Sequence, residues 1–214
     1  MTNRNYTFFD QVVGSLDNAL HTVFGPAPVP GRASPAADWP DSAMSAPERE
    51  LSARLMRINH AGEICAQALY QGQAATARLP QVRGKMEQAA REENDHLAWT
   101  GERIRELGGH ASYLNPLWYA GSFAIGALAG ILGDKWSLGF VAETEKQVVQ
   151  HLEGHLQRLP PGDRRSRVIL EQMRDDEGRH ATVAIESGGA ELPQPLRQAM
   201  GCASKVMTNT AYWF

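Results

Sequence analysis

The chain has 214 residues, 43% of them hydrophobic and 21% charged, with a formal net charge of −3. That length is enough to bury a core without staples, and the charge balance lacks the basic footprint of a nucleic-acid binder. The two cysteines, Cys65 and Cys202, make no C-x-x-C and no disulfide framework, which points to a reducing, cytoplasmic setting.

In chain order, Phe9, Val12, Val13, Leu16, Leu20 and Val23 are spaced as one apolar stripe on a short helix, expected to pack on its own domain, with a membrane-surface anchor as the alternative. No sustained apolar run or small-residue cleavage site marks a signal peptide. Gly25 to Pro47 is rich in Pro, Ala, Ser and Gly and reads as a mobile linker. Residues 1–47 are thus expected to be an amphipathic helix plus linker, and 48–214 the main domain.

From Glu48 to Arg78 no proline intervenes, and Leu51, Leu55, Ile58, Ala66, Leu69 and Tyr70 form a helical stripe that carries Glu63 with it. Leu79-Pro80 ends that helix. A second runs from about Gln81 to Leu107 and stops at Gly108-Gly109, so the two form an antiparallel hairpin.

Ala111 to Gly133 contains no charge and is long enough to suggest a membrane span. A single crossing, however, would put Glu93 and His96 on one side of the bilayer and Glu177 and His180 on the other, where they could not share one site. The expectation is a helix in the membrane interface, with a buried connecting helix as the alternative; Trp118, Tyr119 and Gly126-x-x-x-Gly130 suit either. A third long helix, Asp134 to Leu159, carries Glu145 and ends at Pro160-Pro161-Gly162. Asp163 starts a fourth, which runs to about Ser187 and stops at Gly188-Gly189. A last helix, from about Pro195 to Tyr212, ends in Tyr212-Trp213-Phe214, either docked on the bundle or anchored in the interface.

The chemistry lies in two repeats. Arg91 to His96 reads R-E-E-N-D-H and Asp175 to His180 reads D-D-E-G-R-H, so Glu93/His96 and Glu177/His180 are Glu-x-x-His pairs, each on one helix face. Each pair alone is a weak signal. A lone glutamate, however, precedes each at similar distance: Glu63 before Glu93 and Glu145 before Glu177. Glu63 falls among Ile58, Ala66 and Tyr70, where an unpaired carboxylate would be costly without a metal. Glu143 competes with Glu145, but points nearly the opposite way, and Val141, Val148 and Leu152 share the side of Glu145. Glu, Glu-x-x-His, Glu, Glu-x-x-His on four helices is the ligand pattern of ferritin-like di-iron carboxylate bundles. The fold class is therefore expected to be all-α, a ferritin-like four-helix bundle with additional interfacial helices. Carboxylate and imidazole donors suit iron or manganese, and the lack of thiolates argues against structural zinc.

The residues also resemble the ubiquinone-biosynthesis hydroxylases that act on demethoxyubiquinol, ferritin-like di-iron monooxygenases at the membrane. The similarity covers about Leu51 to Val206. It rests on N-H-A-G-E at Asn59 to Glu63, E-E-N-D-H at Glu92 to His96, L-N-P-L-W before the apolar segment, V-A-E-T-E at Val141 to Glu145, and D-E-G-R-H at Asp176 to His180. The resemblance implies that Glu63, Glu93, His96, Glu145, Glu177 and His180 bind two irons per chain, with Glu93 and Glu177 or the lone glutamates bridging. It implies O₂ as co-substrate, an external reductant such as NADH, and a polyprenyl methoxy-quinol as substrate. It also implies a peripheral place on the cytoplasmic face of the cell (inner) membrane, with a homo-oligomer or an accessory protein as partner. His151 matches a family position near the site and is the catalytic candidate; some members follow it with Tyr where this chain has Leu152. A ferritin-like iron-oxidising store or peroxidase is the alternative function.

Overall fold

The computed structural model describes residues 8–25, 29–41 and 43–214. Among these the chain forms seven helices and no strand: α1 (Phe8–Phe24), α2 (Ala46–Thr76), α3 (Pro80–Glu106), α4 (Asn115–Ile131), α5 (Asp134–Arg158), α6 (Arg164–Glu186) and α7 (Gln194–Trp213). The boundaries follow local chemistry. Ser45 and Glu48 close the start of α2, the Glu48 carboxylate accepting from the Ser45 N–H at 2.9 Å and its hydroxyl at 2.6 Å. Pro80 opens α3, and Gly108 and Gly188, with φ of 74° and 95°, terminate α3 and α6. Asp163 caps α6 by accepting from Ser166 N–H at 3.0 Å.

The antiparallel pairs α2/α3 and α5/α6 make the four-helix core. Apolar side chains fill it as two clusters. One contains Leu55, Met56, Trp99, Leu152, Leu170 and Met173; the other contains Tyr70, Val82, Met86, Leu138, Val141 and Ala184. Along each core helix the candidate ligands fall between the contributions to these clusters, so two dry layers bracket one charged layer.

α4 lies along α2, and small residues set how close they come. A Cβ at Gly126 would overlap the Leu69 carbonyl, and one at Gly72 would overlap that of Phe123. The opposite face of α4 leaves Leu117, Leu128 and Leu132 at 60%, 61% and 72% exposure. The charge-free segment is thus packed on one side and bare on the other. No helix among the described residues is long and apolar enough to cross a membrane.

Two expectations about the N-terminal region change. The side chains of Phe9 and Val12 lie outside the described residues. Of the rest of the α1 stripe, Val23 packs against α2 and α4, but Val13, Leu16 and Leu20 are exposed, so this face is not covered by its own domain. Residues 29–41, expected within a mobile linker, lie on the bundle: Ala36 is buried, and Trp99 Nε1–H donates to the Arg32 carbonyl at 3.4 Å. At the C-terminus Ala211 is buried and Tyr212 packs against the cluster of Ile58 and Ala61, whereas Trp213 and Phe214 are exposed.

Candidate metal centre

α2 brings Glu63 to the charged layer, α3 brings Glu93 and His96, α5 brings Glu145, and α6 brings Glu177 and His180. All are buried except His180, which is half-buried. Their donor atoms form two groups, each with all members within 4.8 Å of one another: Glu63, Glu93, His96 and Glu177, and Glu145, Glu177 and His180. All six sequence-predicted ligands therefore converge.

The two glutamates of the repeats stand between the imidazoles. His96 Nδ1 lies 3.1 Å from Glu93 Oε2 and 3.0 Å from Glu177 Oε1, while His180 Nδ1 lies 3.4 Å from Glu93 Oε1 and 3.1 Å from Glu177 Oε2. Each carboxylate thus offers one oxygen to each half, the arrangement a bridging ligand needs. Glu63 approaches the His96 half, 3.5 Å from Nδ1, and Glu145 completes the His180 half while accepting the Tyr70 hydroxyl hydrogen bond.

The outer nitrogen of each histidine is held by a carboxylate from the other repeat. His96 Nε2 meets Asp176 Oδ2 at 3.0 Å, and His180 Nε2 meets Glu92 Oε2 at 2.6 Å. Such partners fix tautomer and ring orientation so that Nδ1 faces inward. Sequence reasoning missed them, although both immediately precede the glutamate of a Glu-x-x-His pair, at the same offset in the two repeats. It also missed Tyr70, read only as part of an apolar stripe.

Charge tests whether a cation fits. Burial, with Glu93 nearby, pushes Glu63 well above the usual carboxylate range, and burial, with Glu177 and Glu93 nearby, does the same to Glu145. Burial opposes a charged imidazole, yet the carboxylate of Glu93 raises His96 well above its ordinary value. His180, also opposed by burial, is pushed up to about 12 by its hydrogen bond to Glu177 and by the Glu93 carboxylate 3.4 Å away. Protons are thus drawn onto a buried anionic cluster, and Glu93 Oε1 is left without a hydrogen bond inside it. The donor set fits hard divalent cations: four carboxylates offset four positive charges while two neutral imidazoles complete the shells.

His151 lies outside both groups. It is half-buried with Nε2 unpartnered, and its ring centroid lies 3.9 Å from that of His155, whose Nδ1 faces Asn59 Oδ1 at 2.9 Å. A cavity of about 810 Å³ opens beside His180 and Tyr70, with apolar walls from Met86, Leu138, Val141 and Ala184 and with Lys85, Arg91 and Arg179 also along it.

The family model described as ubiquinone biosynthesis protein COQ7 matches residues 50–211. Relatives named 3-demethoxyubiquinol 3-hydroxylase align over nearly the whole chain. That of Nitrosococcus oceani is 61% identical over 213 residues, covering 100% of both chains. That of Nitrosomonas eutropha is 58% identical over 208 residues, covering 95% of this chain and 98% of its own. That of Alcanivorax borkumensis is 55% identical over 217 residues, covering 99% of each. With six carboxylate and imidazole ligand candidates, five of them buried, in one layer of a helical bundle, the chain belongs to the COQ7 family of ubiquinone biosynthesis proteins.

Proposed function

We propose that the protein is a 3-demethoxyubiquinol 3-hydroxylase, a di-iron monooxygenase of ubiquinone biosynthesis. The observation that carries this reading is the pair of Glu-x-x-His motifs sharing Glu93 and Glu177 between two imidazoles, in a chain 55–61% identical to relatives of that name. Glu63, Glu93, His96 and Glu177 would hold one iron, and Glu145, Glu177 and His180, with Glu93, the other. When bound, the two irons supply the O₂ activation that hydroxylation of an aromatic C–H requires. One oxygen atom enters the ring and the other leaves as water, consuming two electrons from an external reductant, NADH being the candidate, and two protons, one carried by that hydride donor and one from solvent.

The remaining work falls to the polypeptide. Asp176 and Glu92 orient the imidazoles, the Tyr70 hydroxyl holds Glu145, and the apolar clusters on either side keep bulk water from the layer. The cavity beside His180, with Met86, Leu138, Val141 and Ala184 on its walls, gives a quinol ring a path to the ligands. A polyprenyl tail cannot leave a bilayer, so the enzyme must meet it there. The bare apolar residues of α1, of α4 and its C-terminal edge, and of α7, including Leu16, Leu20, Leu128, Leu132 and Trp213, support a peripheral position on a membrane surface without a span; the cytoplasmic face of the inner membrane is what the family resemblance implies. His151 stays a candidate for proton or electron transfer, and a homo-oligomer or accessory protein remains a candidate partner.

The test is anaerobic reconstitution with ferrous iron followed by O₂, reductant and a short-tailed demethoxyquinol. About two irons per chain and a hydroxylated product are expected. Iron oxidation into a mineral core without product would favour the storage reading instead.

A further inference from the structure

Arg32 lies outside every helix and ahead of the residues matched by the family model, yet it reaches the metal layer. Its planar guanidinium spans two carboxylates on different helices. Nε donates to Asp95 Oδ2 of α3 at 2.6 Å, and NH1 meets Asp176 Oδ2 of α6 at 2.8 Å. The backbone is tied down as well: Gly31 N–H donates to Asp95 Oδ1 at 2.6 Å, and the guanidinium sits 5.0 Å from the centroid of the Trp99 ring. The arginine side chain is 40% exposed while those of Asp95 and Asp176 are 8% and 2%, so a surface cation reaches down to two buried anions.

The Asp176 oxygen that takes Arg32 is the one facing His96 Nε2. Its other oxygen is held by Arg179 at 2.7 Å and Gln172 at 2.8 Å. Oδ2 therefore has two partners, one from outside the bundle and one a candidate iron ligand. The His180 half is built differently: Glu92 accepts from Gln88 on its own helix at 2.9 Å and makes no ion pair with a lysine or arginine among the described residues.

We propose that Arg32 is a positioning residue of the metal centre: it clamps Asp176 against His96 and ties α3 to α6 on that side, so that residues 29–41 complete one half of the site. The proposal rests on the metal-centre reading and adds an asymmetry to it. Fixing the Asp176 carboxylate fixes the His96 ring, and outer partners of this kind commonly govern metal affinity. A lysine at this position has one compact charge and no planar fork, and does not serve both carboxylates together.

The experiment uses the full chain, metal-free and anaerobic, titrated with Co²⁺ and followed by calorimetry and by the cobalt d–d absorption. Arg32→Ala and Arg32→Lys are compared with Arg165→Ala, which removes the 2.7 Å tie from Arg165 to the Trp39 carbonyl and loosens the same segment away from Asp176. The wild type is expected to take two Co²⁺. Arg32→Ala should weaken one of the two by about tenfold and alter its absorption band, leaving the other unchanged. Arg32→Lys should not restore it, added guanidinium should, and Arg165→Ala should match the wild type. Equal weakening of both ions, no weakening, or the same loss in Arg165→Ala overturns the positioning role, because each would mean that the segment only packs. A wild type that takes up no Co²⁺ overturns the metal-centre reading itself, and the role of Arg32 with it.

Discussion

Two pairs of histidines lie within the same bundle and meet opposite electrostatic fates. His96 and His180 are surrounded by Glu93 and Glu177 and are driven toward the cation. His151 and His155, on α5, face each other, Asn59 and Arg158; burial, aided by Arg158, lowers His151 to about 4, and burial, aided by His151, lowers His155 to about 2. Burial is common to both pairs, so it does not define a metal site. A buried imidazole by itself is simply a neutral polar group with a solvation cost. Carboxylates about 3 Å away turn the same burial into a demand for positive charge, which a divalent ion meets better than protons do.

The sharpest way to break this contrast is to remove a carboxylate the first pair shares. Glu177→Gln should abolish binding of both irons and lower hydroxylation by about 10³-fold, a loss of about 4 kcal/mol. Glu145→Gln should empty the His180 half with a similar loss of activity. The Glu145→Gln apoprotein should melt at or above the wild-type temperature, since a buried carboxyl group crowded by Glu177 and Glu93 becomes an uncharged amide, whereas the Glu177→Gln apoprotein should melt below it, since His96 and His180 each lose a carboxylate partner. Iron per chain, product and melting temperature measured together decide it; full iron loading in Glu177→Gln would sink the assignment.

A smaller effect separates the two carboxylates behind the first pair. Asp176→Asn should weaken metal binding by about 100-fold and Glu92→Gln by about tenfold, because the Asp176 side chain is buried whereas that of Glu92 is 37% exposed and shielded by water. Isothermal titration of the metal-free proteins reads both values, and the reverse order would contradict the asymmetry.

How much of this was visible in the sequence depends on the range of the interaction. Helix limits were legible wherever a local breaker set them, as at Pro80, Gly108 and Gly188. The convergence of the candidate ligands was legible because Glu63 and Glu145 each share a helix face with apolar residues that the bundle buries. The crossing of Asp176 to His96 and of Glu92 to His180 was not, since no periodicity states which helix faces which. Nor was the tie between Arg32 and Asp95, 63 residues apart, which turned an expected linker into part of the wall around the site. The α1 stripe misled for a related reason. An amphipathic pattern requires an apolar partner, but does not say that the partner is the same chain.

The second histidine pair offers a pH test with a definite sign. His155 has a folded value of about 2 against an ordinary 6.5, so acidification protonates the unfolded chain first. Stability is then undiminished above pH 6.5 and is lost steadily as pH falls toward 2, by about 1.4 kcal/mol per unit, or roughly 2 kcal/mol at pH 5. His155→Gln cannot titrate, and should therefore lose about that much less than the wild type between pH 7 and 5 in urea unfolding of the apoproteins. Parallel pH profiles would mean that His155 is not held neutral, and the contrast between the pairs would fail.

The smallest expected effect is the one that checks the register. Glu143 and Glu145 are two residues apart on α5 and project to different sides. Glu145 is buried and takes the Tyr70 hydroxyl, whereas Glu143 is half-buried and accepts from Gln147 Nε2 at 2.7 Å. Glutamine at 143 retains an acceptor oxygen for Gln147 and removes only a charge near water, so Glu143→Gln should change stability by no more than about 0.5 kcal/mol and leave iron content unchanged. Urea unfolding and metal analysis, run beside Glu145→Gln, give the comparison directly. Loss of iron in Glu143→Gln with retention in Glu145→Gln would shift α5 by two residues, remove Tyr70 from the site, and undo the separation between the metal layer and the His151–His155 pair.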